Sequence, residues 1–148
     1  MSSYFLDSSA LVKAYRQEAG TNKVVPLLEG IDQLVIACLT HVEVAATLVR
    51  RGRETPLSMV DISDLLSTLN EDITQCFEII ELTKPLVRTA VEMARKHALR
   101  GADALQLACA LWARTERGFT DLIMVGSDRE LNTAAQAEGF VIVDPVRA

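Results

Sequence analysis

The amino-acid sequence predicts an α/β fold, a three-layer α/β/α sandwich around a mostly parallel five-stranded sheet. Two observations carry this prediction: the chain contains five short apolar runs, and segments with helical spacing separate them. Short buried strands that alternate with helices are typical of parallel sheets, because the crossover helices cover both faces. With 148 residues, 49% of them apolar, residues 1–148 are expected to form one domain.

The first half of the chain supplies three of the expected strands. The run 4–6 is apolar and aromatic and stops at Asp7-Ser8-Ser9, where a helix is expected to begin because Asp and Ser are favoured caps. Helical spacing then continues to Glu18, and Gly20 ends it. Further along, the pattern predicts a short helix around 27–28, a strand at 34–37, helices over 40–53 and 56–69, and a strand at 77–80.

The second half adds long helices and the last two strands. Amphipathic patterns predict helices over 85–99 and 102–117, joined around Gly101. A strand at 122–125, a helix over 129–137 and a strand at 140–143 follow. In a parallel sheet the carboxyl ends of the strands lie at one edge, which is where such folds bind ligands.

Composition excludes several classes of protein. Apolar runs such as 34–39 are far shorter than the ~20 residues of a membrane helix. The N-terminus carries no basic segment followed by an apolar stretch, so no signal peptide is expected. The expected location is therefore the cytoplasm. Three widely spaced cysteines, Cys38, Cys76 and Cys109, form no Cys-x-x-Cys pair and are expected to be buried, reduced thiols rather than zinc ligands.

The carboxylates that follow the strands point to a shared site. Asp7 follows the first strand, Glu43 lies in the first turn after the second, and Asp128 follows the fourth. These three acids are therefore expected to face one crevice. Asp103 stands in the first turn of a helix that follows another helix, so strand order alone does not place it there.

Each acid also has a purely structural interpretation. The segment from Thr40 to Glu43 matches a capping box, and Asp7, Asp103 and Asp128 are each placed to cap a helix or to complement its dipole. Taken together, several carboxylates at one edge would repel each other unless a cation lay between them. Oxygen ligands suit a hard cation, so Mg²⁺ or Mn²⁺ is the expected cofactor.

The expected chemistry follows from that ligand set. A divalent ion held by carboxylates makes a bound water more acidic, orients a phosphate and stabilises the leaving oxygen, without a histidine base. A bound cation would also reconcile a net charge of −5 with an anionic substrate, since nucleic-acid-binding domains are usually basic. Lys13 and Arg100 are the two basic side chains predicted to contact phosphate.

Four segments of the chain resemble the motifs of PIN domains, and most closely those of VapC-type ribonuclease toxins. In order they are YFLDSSALVK from Tyr4, Val42-Glu43, LRGADALQLA from Leu99, and SDREL from Ser127. The resemblance covers essentially the whole chain. It implies a three-layer α/β/α fold and an endoribonuclease dependent on Mg²⁺ or Mn²⁺.

The resemblance also implies the roles of individual residues and the partners. Asp7, Glu43, Asp103 and Asp128 stand at the four acidic positions, which bind metal and carry catalysis. Ser8 follows the first acid, and Ser127 occupies the place of a small hydroxyl residue near the metal. The implied partners are an RNA substrate, a small cognate antitoxin and a second copy of the chain.

Three other functions are alternatives to the ribonuclease. A phosphotransferase with a nucleophilic aspartate would carry an acid at position 9, where this chain has Ser9, and a receiver domain would carry a lysine where it has Asp144-Pro145. The main alternative is a PIN-like domain that binds RNA or protein without cleaving it. A cleavage assay with titrated metal separates that alternative from the nuclease.

Overall fold

The computed structural model describes residues 1–147. Five strands form one sheet, in which every neighbouring pair runs parallel. Their order across the sheet is β3-β2-β1-β4-β5. The strands are β1 (Ser3–Leu6), β2 (Gln33–Ala37), β3 (Glu78–Ile80), β4 (Leu122–Val125) and β5 (Val141–Val143). The predicted five-stranded parallel sheet is therefore confirmed. The last residue of the domain predicted over 1–148 lies outside the described residues.

Seven α-helices connect and cover the strands. Among the described residues, no helix is both long enough and apolar enough to cross a membrane. The helices are α1 (Ser8–Leu11), which continues as a 3₁₀ turn over Val12–Ala14, α2 (Thr21–Glu29), α3 (Cys38–Glu54), α4 (Met59–Cys76), α5 (Lys84–His97), α6 (Gly101–Glu116) and α7 (Arg129–Ala137).

The bounds of three helices differ in an informative way from the sequence prediction. The first helix is much shorter than the predicted 10–18. Helix α3 begins at Cys38, so Thr40 lies inside it and is fully buried, and the capping box considered for Thr40 does not form. Helix α4 starts later than predicted because Ser58 and Asp61 form a capping box there, and it extends to Cys76 because Ile73 adds a further turn of its buried face.

Two apolar clusters lie on the two faces of the sheet. Adjacent residues of β1 point to opposite faces: Phe5 joins the cluster that includes α5, α6 and α7, whereas Leu6 joins the cluster with α1, α3 and α4. Both side chains are fully buried, which confirms the sandwich architecture. Among the cysteines only Cys109 is buried and Cys76 is exposed, so the prediction of three buried thiols is wrong for Cys76.

The strand order creates a crevice beside β1. The chain leaves β1 to form β2 and β3 on one side, and returns to form β4 and β5 on the other. In open α/β sheets, ligands bind outside the carboxyl ends of the strands where the order reverses in this way. Asp7 follows β1 and Asp128 follows β4, so the topology brings the first and last predicted acids to this point.

Candidate active site

Asp7 follows β1 and lies at the N-cap of α1. Its side chain is only 2% exposed. Oδ1 accepts hydrogen bonds from Ser9 Oγ at 2.6 Å and from the Ala10 amide at 2.9 Å. Oδ2 accepts none from the residues that the structure describes, and it packs against Gly126, where a Cβ would stand 2.7 Å away. One oxygen is thus fixed by the protein while the other is left free.

Burial makes Asp7 an unusually weak acid. The pKa of its carboxyl is raised from 3.8 to about 7, mainly by desolvation; the hydrogen bonds from Ser9 and Ala10 oppose the rise, and the negative charges of Asp128 and Asp103 add to it. A cation beside Oδ2 would reverse this balance, since an opposite charge favours the ionised carboxylate.

Glu43, on the second turn of α3, has the same division between its two oxygens. Oε1 accepts from Ser8 Oγ at 2.6 Å and from Gln106 Nε2 at 3.0 Å. Among residues 1–147, nothing donates a hydrogen bond to Oε2. The hydroxyl of Ser8 therefore joins the helix that Asp7 caps to the helix that carries Glu43.

Asp103 joins this group, which strand order alone did not predict. Its carboxyl is half-buried in the first turn of α6. Burial raises its pKa from 3.8 to about 6, the charges of Asp128 and Glu43 add to the rise, and Arg100 opposes it. Such mutual effects require the acids to be neighbours, because exposed charges act weakly on each other beyond about 10 Å. All four predicted acids thus converge on one region.

Asp128 and Ser127 close the crevice on the β4 side. The Asp128 side chain caps α7 by accepting from the Leu131 amide at 3.0 Å. The Ser127 amide donates to Ser9 Oγ at 3.0 Å, and the same Ser9 hydroxyl holds Asp7. The capping interpretation is therefore confirmed for Asp7 and for Asp128, and in both residues only one oxygen accepts the capping bond.

The acids are neighbours, yet they do not close around a single point. Within residues 1–147, no three His, Cys, Asp or Glu side chains stand near enough to hold one ion together as placed here. The residues nevertheless fit a hard cation, because Asp7 and Glu43 each leave one oxygen without a hydrogen bond. A divalent ion between these carboxylates would offset the repulsion among them.

The two predicted phosphate contacts have different surroundings. Lys13 has a side chain only 7% exposed, and its Nζ lies 2.8 Å from Glu18, which also pairs with Arg51 at 2.8 Å. Lys13 would reach a phosphate only after this ion pair opened. Arg100 is exposed, immediately precedes α6 and acts on the charge of Asp103.

Sequence reasoning missed three polar residues that shape the site: Ser9, Thr40 and Gln106. Ser9 holds Asp7, and Gln106 donates to Thr40, to Glu43 and to Ser8. One signal was available, because Gln106 follows Asp103 by three residues and therefore shares its face of the helix. Its reach across to α3 depends on tertiary packing, which no local pattern encodes.

Comparison with known proteins agrees with this architecture. The family model of the PIN domain matches residues 4–120. Ribonuclease VapC45 of Mycobacterium tuberculosis (strain CDC 1551 / Oshkosh) is 35% identical over 135 residues, which cover 91% of this chain and 90% of that protein. Ribonuclease VapC49 of strain ATCC 25618 / H37Rv matches to the same extent.

Solved structures share the fold at low sequence identity. PAE2754 from Pyrobaculum aerophilum is 24% identical and superposes with a TM-score of 0.64, covering 96% of this chain and 90% of its own. A toxin-antitoxin complex from Klebsiella pneumoniae is 16% identical with a TM-score of 0.67, covering 98% and 99%. With its acids at the switch point of a parallel sheet, the chain belongs to the PIN-domain family and, within it, to the VapC group.

Proposed function

We propose that this chain is a metal-dependent endoribonuclease that hydrolyses RNA phosphodiester bonds and serves as the toxin of a toxin-antitoxin pair. The observation that carries the proposal is that the two carboxylate oxygens of Asp7, and likewise those of Glu43, differ in their hydrogen bonding. In each carboxylate, one oxygen takes every hydrogen bond that the described residues donate, and the other takes none. If Asp7 served only as a helix cap, there would be no need for a second carboxylate with a free oxygen beside it.

Asp7, Glu43, Asp103 and Asp128 are the proposed metal-binding and catalytic residues. Mg²⁺ or Mn²⁺ bound among them supplies Lewis-acid chemistry, making a water more acidic and stabilising the leaving oxygen. Ser8 supports the site by orienting Glu43 through its 2.6 Å hydrogen bond. Ser127 supports it through its amide, which fixes the Ser9 hydroxyl that binds Asp7.

Arg100 is the proposed phosphate contact. Its guanidinium is exposed, and it is close enough to Asp103 to oppose the rise in the pKa of that carboxyl. Arg100 therefore lies beside the acids without being part of a buried ion pair. A guanidinium is always charged and suits phosphate oxygens. Lys13 is retained as a second contact only for a state in which its pair with Glu18 has opened.

The toxin role is supported by the relatives. Two proteins of 35% identity are named Ribonuclease VapC, and a chain with the same fold comes from a toxin-antitoxin complex. The proposed partner is accordingly a small cognate antitoxin that covers or enters the acidic crevice. A homodimer and a cytoplasmic location stay predictions, and sedimentation velocity tests the first of them.

The test is cleavage of a fluorescent RNA by the purified chain, with Mg²⁺ or Mn²⁺ and with EDTA. We expect cleavage that needs the metal, stops with EDTA and falls at least a hundredfold in Asp7→Asn, as expected when a group that stabilises transition-state charge is lost. Asp64→Asn is the matched control, because Asp64 is an exposed acid on α4. If RNA is bound but never cut at any metal concentration, the non-cleaving PIN-like alternative is correct.

A further inference from the structure

Gln106 is a buried polar residue that has no role in the chemistry proposed above. Its side chain is 2% exposed on α6, three residues after Asp103. Its Nε2 lies 2.9 Å from Thr40 Oγ1, 3.0 Å from Glu43 Oε1 and 3.1 Å from Ser8 Oγ. One amide group thus joins α6 to α3 and to α1, the three helices that carry or begin at Asp103, Glu43 and Asp7.

The orientation of this amide is fixed by Glu43. The alternative orientation would put the Gln106 carbonyl oxygen 3.0 Å from the Glu43 carboxylate, where two acceptors would repel each other. In the orientation present, Gln106 Oε1 is buried and has no hydrogen-bond partner among the described residues. An unpartnered buried acceptor is unfavourable, so the value of this residue lies in what its NH₂ group does.

That NH₂ group acts on a single oxygen of Glu43. Ser8 Oγ, at 2.6 Å, and Gln106 Nε2, at 3.0 Å, both donate to Oε1. With Oε1 held from two sides, the carboxylate plane is fixed and Oε2 is the oxygen left to bind a ligand. Ser8 is half-exposed, so the fully buried anchor is Gln106.

We propose that Gln106 is a positioning residue that fixes Glu43 so that Oε2 faces the divalent cation of the site. The inference rests on the proposed function only in that it requires a cation there. Gln106 touches neither the cation nor the substrate and acts through Glu43. Partners of metal ligands typically contribute ~10–100-fold to metal affinity or activity. Loss of the amide should weaken the metal site by that factor while the KM for RNA changes little.

The experiment measures Mn²⁺ binding to the intact chain by electron paramagnetic resonance, without RNA. Gln106→Met keeps the length of the side chain and removes the amide together with its unpartnered oxygen, so the variant should fold. We expect its Mn²⁺ dissociation constant to rise ~10–100-fold. Leu107→Val is the matched control, because Leu107 is the adjacent fully buried residue of α6 and packs in the apolar cluster; its Mn²⁺ affinity should equal that of the wild type.

A double-mutant cycle with Glu43→Gln separates positioning from general damage. If Gln106 acts through Glu43, the double variant should bind Mn²⁺ no more weakly than Glu43→Gln alone, since coupled residues are not additive. Additive losses would overturn the proposal.

The outcomes distinguish this proposal from the ribonuclease itself. Normal RNA cleavage with an unchanged Mn²⁺ affinity in Gln106→Met would overturn the positioning role alone. Weakened Mn²⁺ binding in a chain that cuts no RNA would support the positioning role and overturn the ribonuclease. A wild-type chain that binds no Mn²⁺ would overturn both.

Discussion

The carboxylate of Asp7 packs directly against the backbone of Gly126. A Cβ at that position would stand 2.7 Å from Asp7 Oδ2 and 3.1 Å from Oδ1. The Gly126 backbone is itself held on both sides, since its amide donates to the Val143 carbonyl at 3.1 Å and its carbonyl accepts from Asn132 Nδ2 at 2.8 Å. The glycine is required here for close approach, and its backbone has little freedom to retreat.

Replacing this glycine should displace the principal acid. In Gly126→Ala the added methyl group would meet the carboxylate, and the cheapest relief is rotation of Asp7 away from Ser9 and Ala10. We expect a destabilisation of about 1–3 kcal/mol, as for overpacked sites, and a loss of RNA cleavage similar to that of Asp7→Asn. Thermal unfolding and the cleavage assay measure the two effects.

Gly101→Ala is the matched control for this prediction. Gly101 opens α6 one residue after Arg100, and a Cβ there would meet nothing within 4 Å. Alanine favours helices over glycine by up to ~1 kcal/mol, so stability should stay equal or rise and activity should persist. Full activity of Gly126→Ala would show that the Asp7 carboxylate tolerates displacement and that the close approach to Gly126 is not required for cleavage.

The metal-free protein should become more stable as the solution is made mildly acidic. Asp7 and Asp103 have folded-state pKa values of about 7 and about 6, both raised from 3.8. A raised pKa means that the folded state binds the proton more tightly than the unfolded state. This contribution to stability is therefore present at low pH and is lost as the pH rises through about 6 and 7.

In EDTA, the melting temperature should therefore rise when the pH is lowered from 7.5 to 5.5. Asp7, which is buried, contributes up to about 1.4 kcal/mol per pH unit within its window, and the half-buried Asp103 contributes less because solvent screens its charge. Glu18 and Glu138 have lowered pKa values, and their contributions are lost only below the ordinary glutamate range, outside this window. A melting temperature that fell between pH 7.5 and 5.5 would contradict the assignment, and Asp7→Asn should show a smaller slope than the wild type.

Neutralising one acid should stabilise the chain when no metal is present. In Asp103→Asn, the repulsion that Asp128 and Glu43 exert on this half-buried carboxyl is removed. Calorimetry in EDTA should give a higher melting temperature for the variant than for the wild type. Added Mg²⁺ should then stabilise the wild type more than the variant, because a ligand stabilises only the state that binds it. Equal melting temperatures with no response to Mg²⁺ would overturn the shared metal site and leave Asp7 and Asp128 as helix caps only.

Much of this site could be anticipated because it follows from topology. Once the strands were parallel, the position of Asp7 after β1 and of Asp128 after β4 required them to meet at one edge. Asp103 could not be placed in that way, because its position depends on how α6 packs against α5 and the sheet. The start of α3 at Cys38 was also missed, because Ala37 at its N-cap offers no side-chain signal. Gln106 was missed for the same reason as Asp103, since its partners come from distant helices.

Arg100 and Lys13, the two basic residues predicted from the sequence to contact phosphate, should have different effects on RNA binding. Arg100→Ala, measured in EDTA by fluorescence anisotropy with a fixed oligonucleotide, should weaken binding at low salt and reduce the slope of log affinity against log salt by about 1, as expected for the loss of one phosphate contact. Lys13→Met should leave that slope unchanged, because Lys13 Nζ is already paired with Glu18 at 2.8 Å and its side chain is 7% exposed. It should instead lower the free energy of unfolding by about 1–3 kcal/mol, since Glu18 loses its 2.8 Å partner Lys13 and keeps Arg51 at 2.8 Å and Arg16 at 4.0 Å. If Lys13→Met changed the salt slope and Arg100→Ala did not, the ion pair would open in solution and Lys13 would be the residue that meets the RNA backbone.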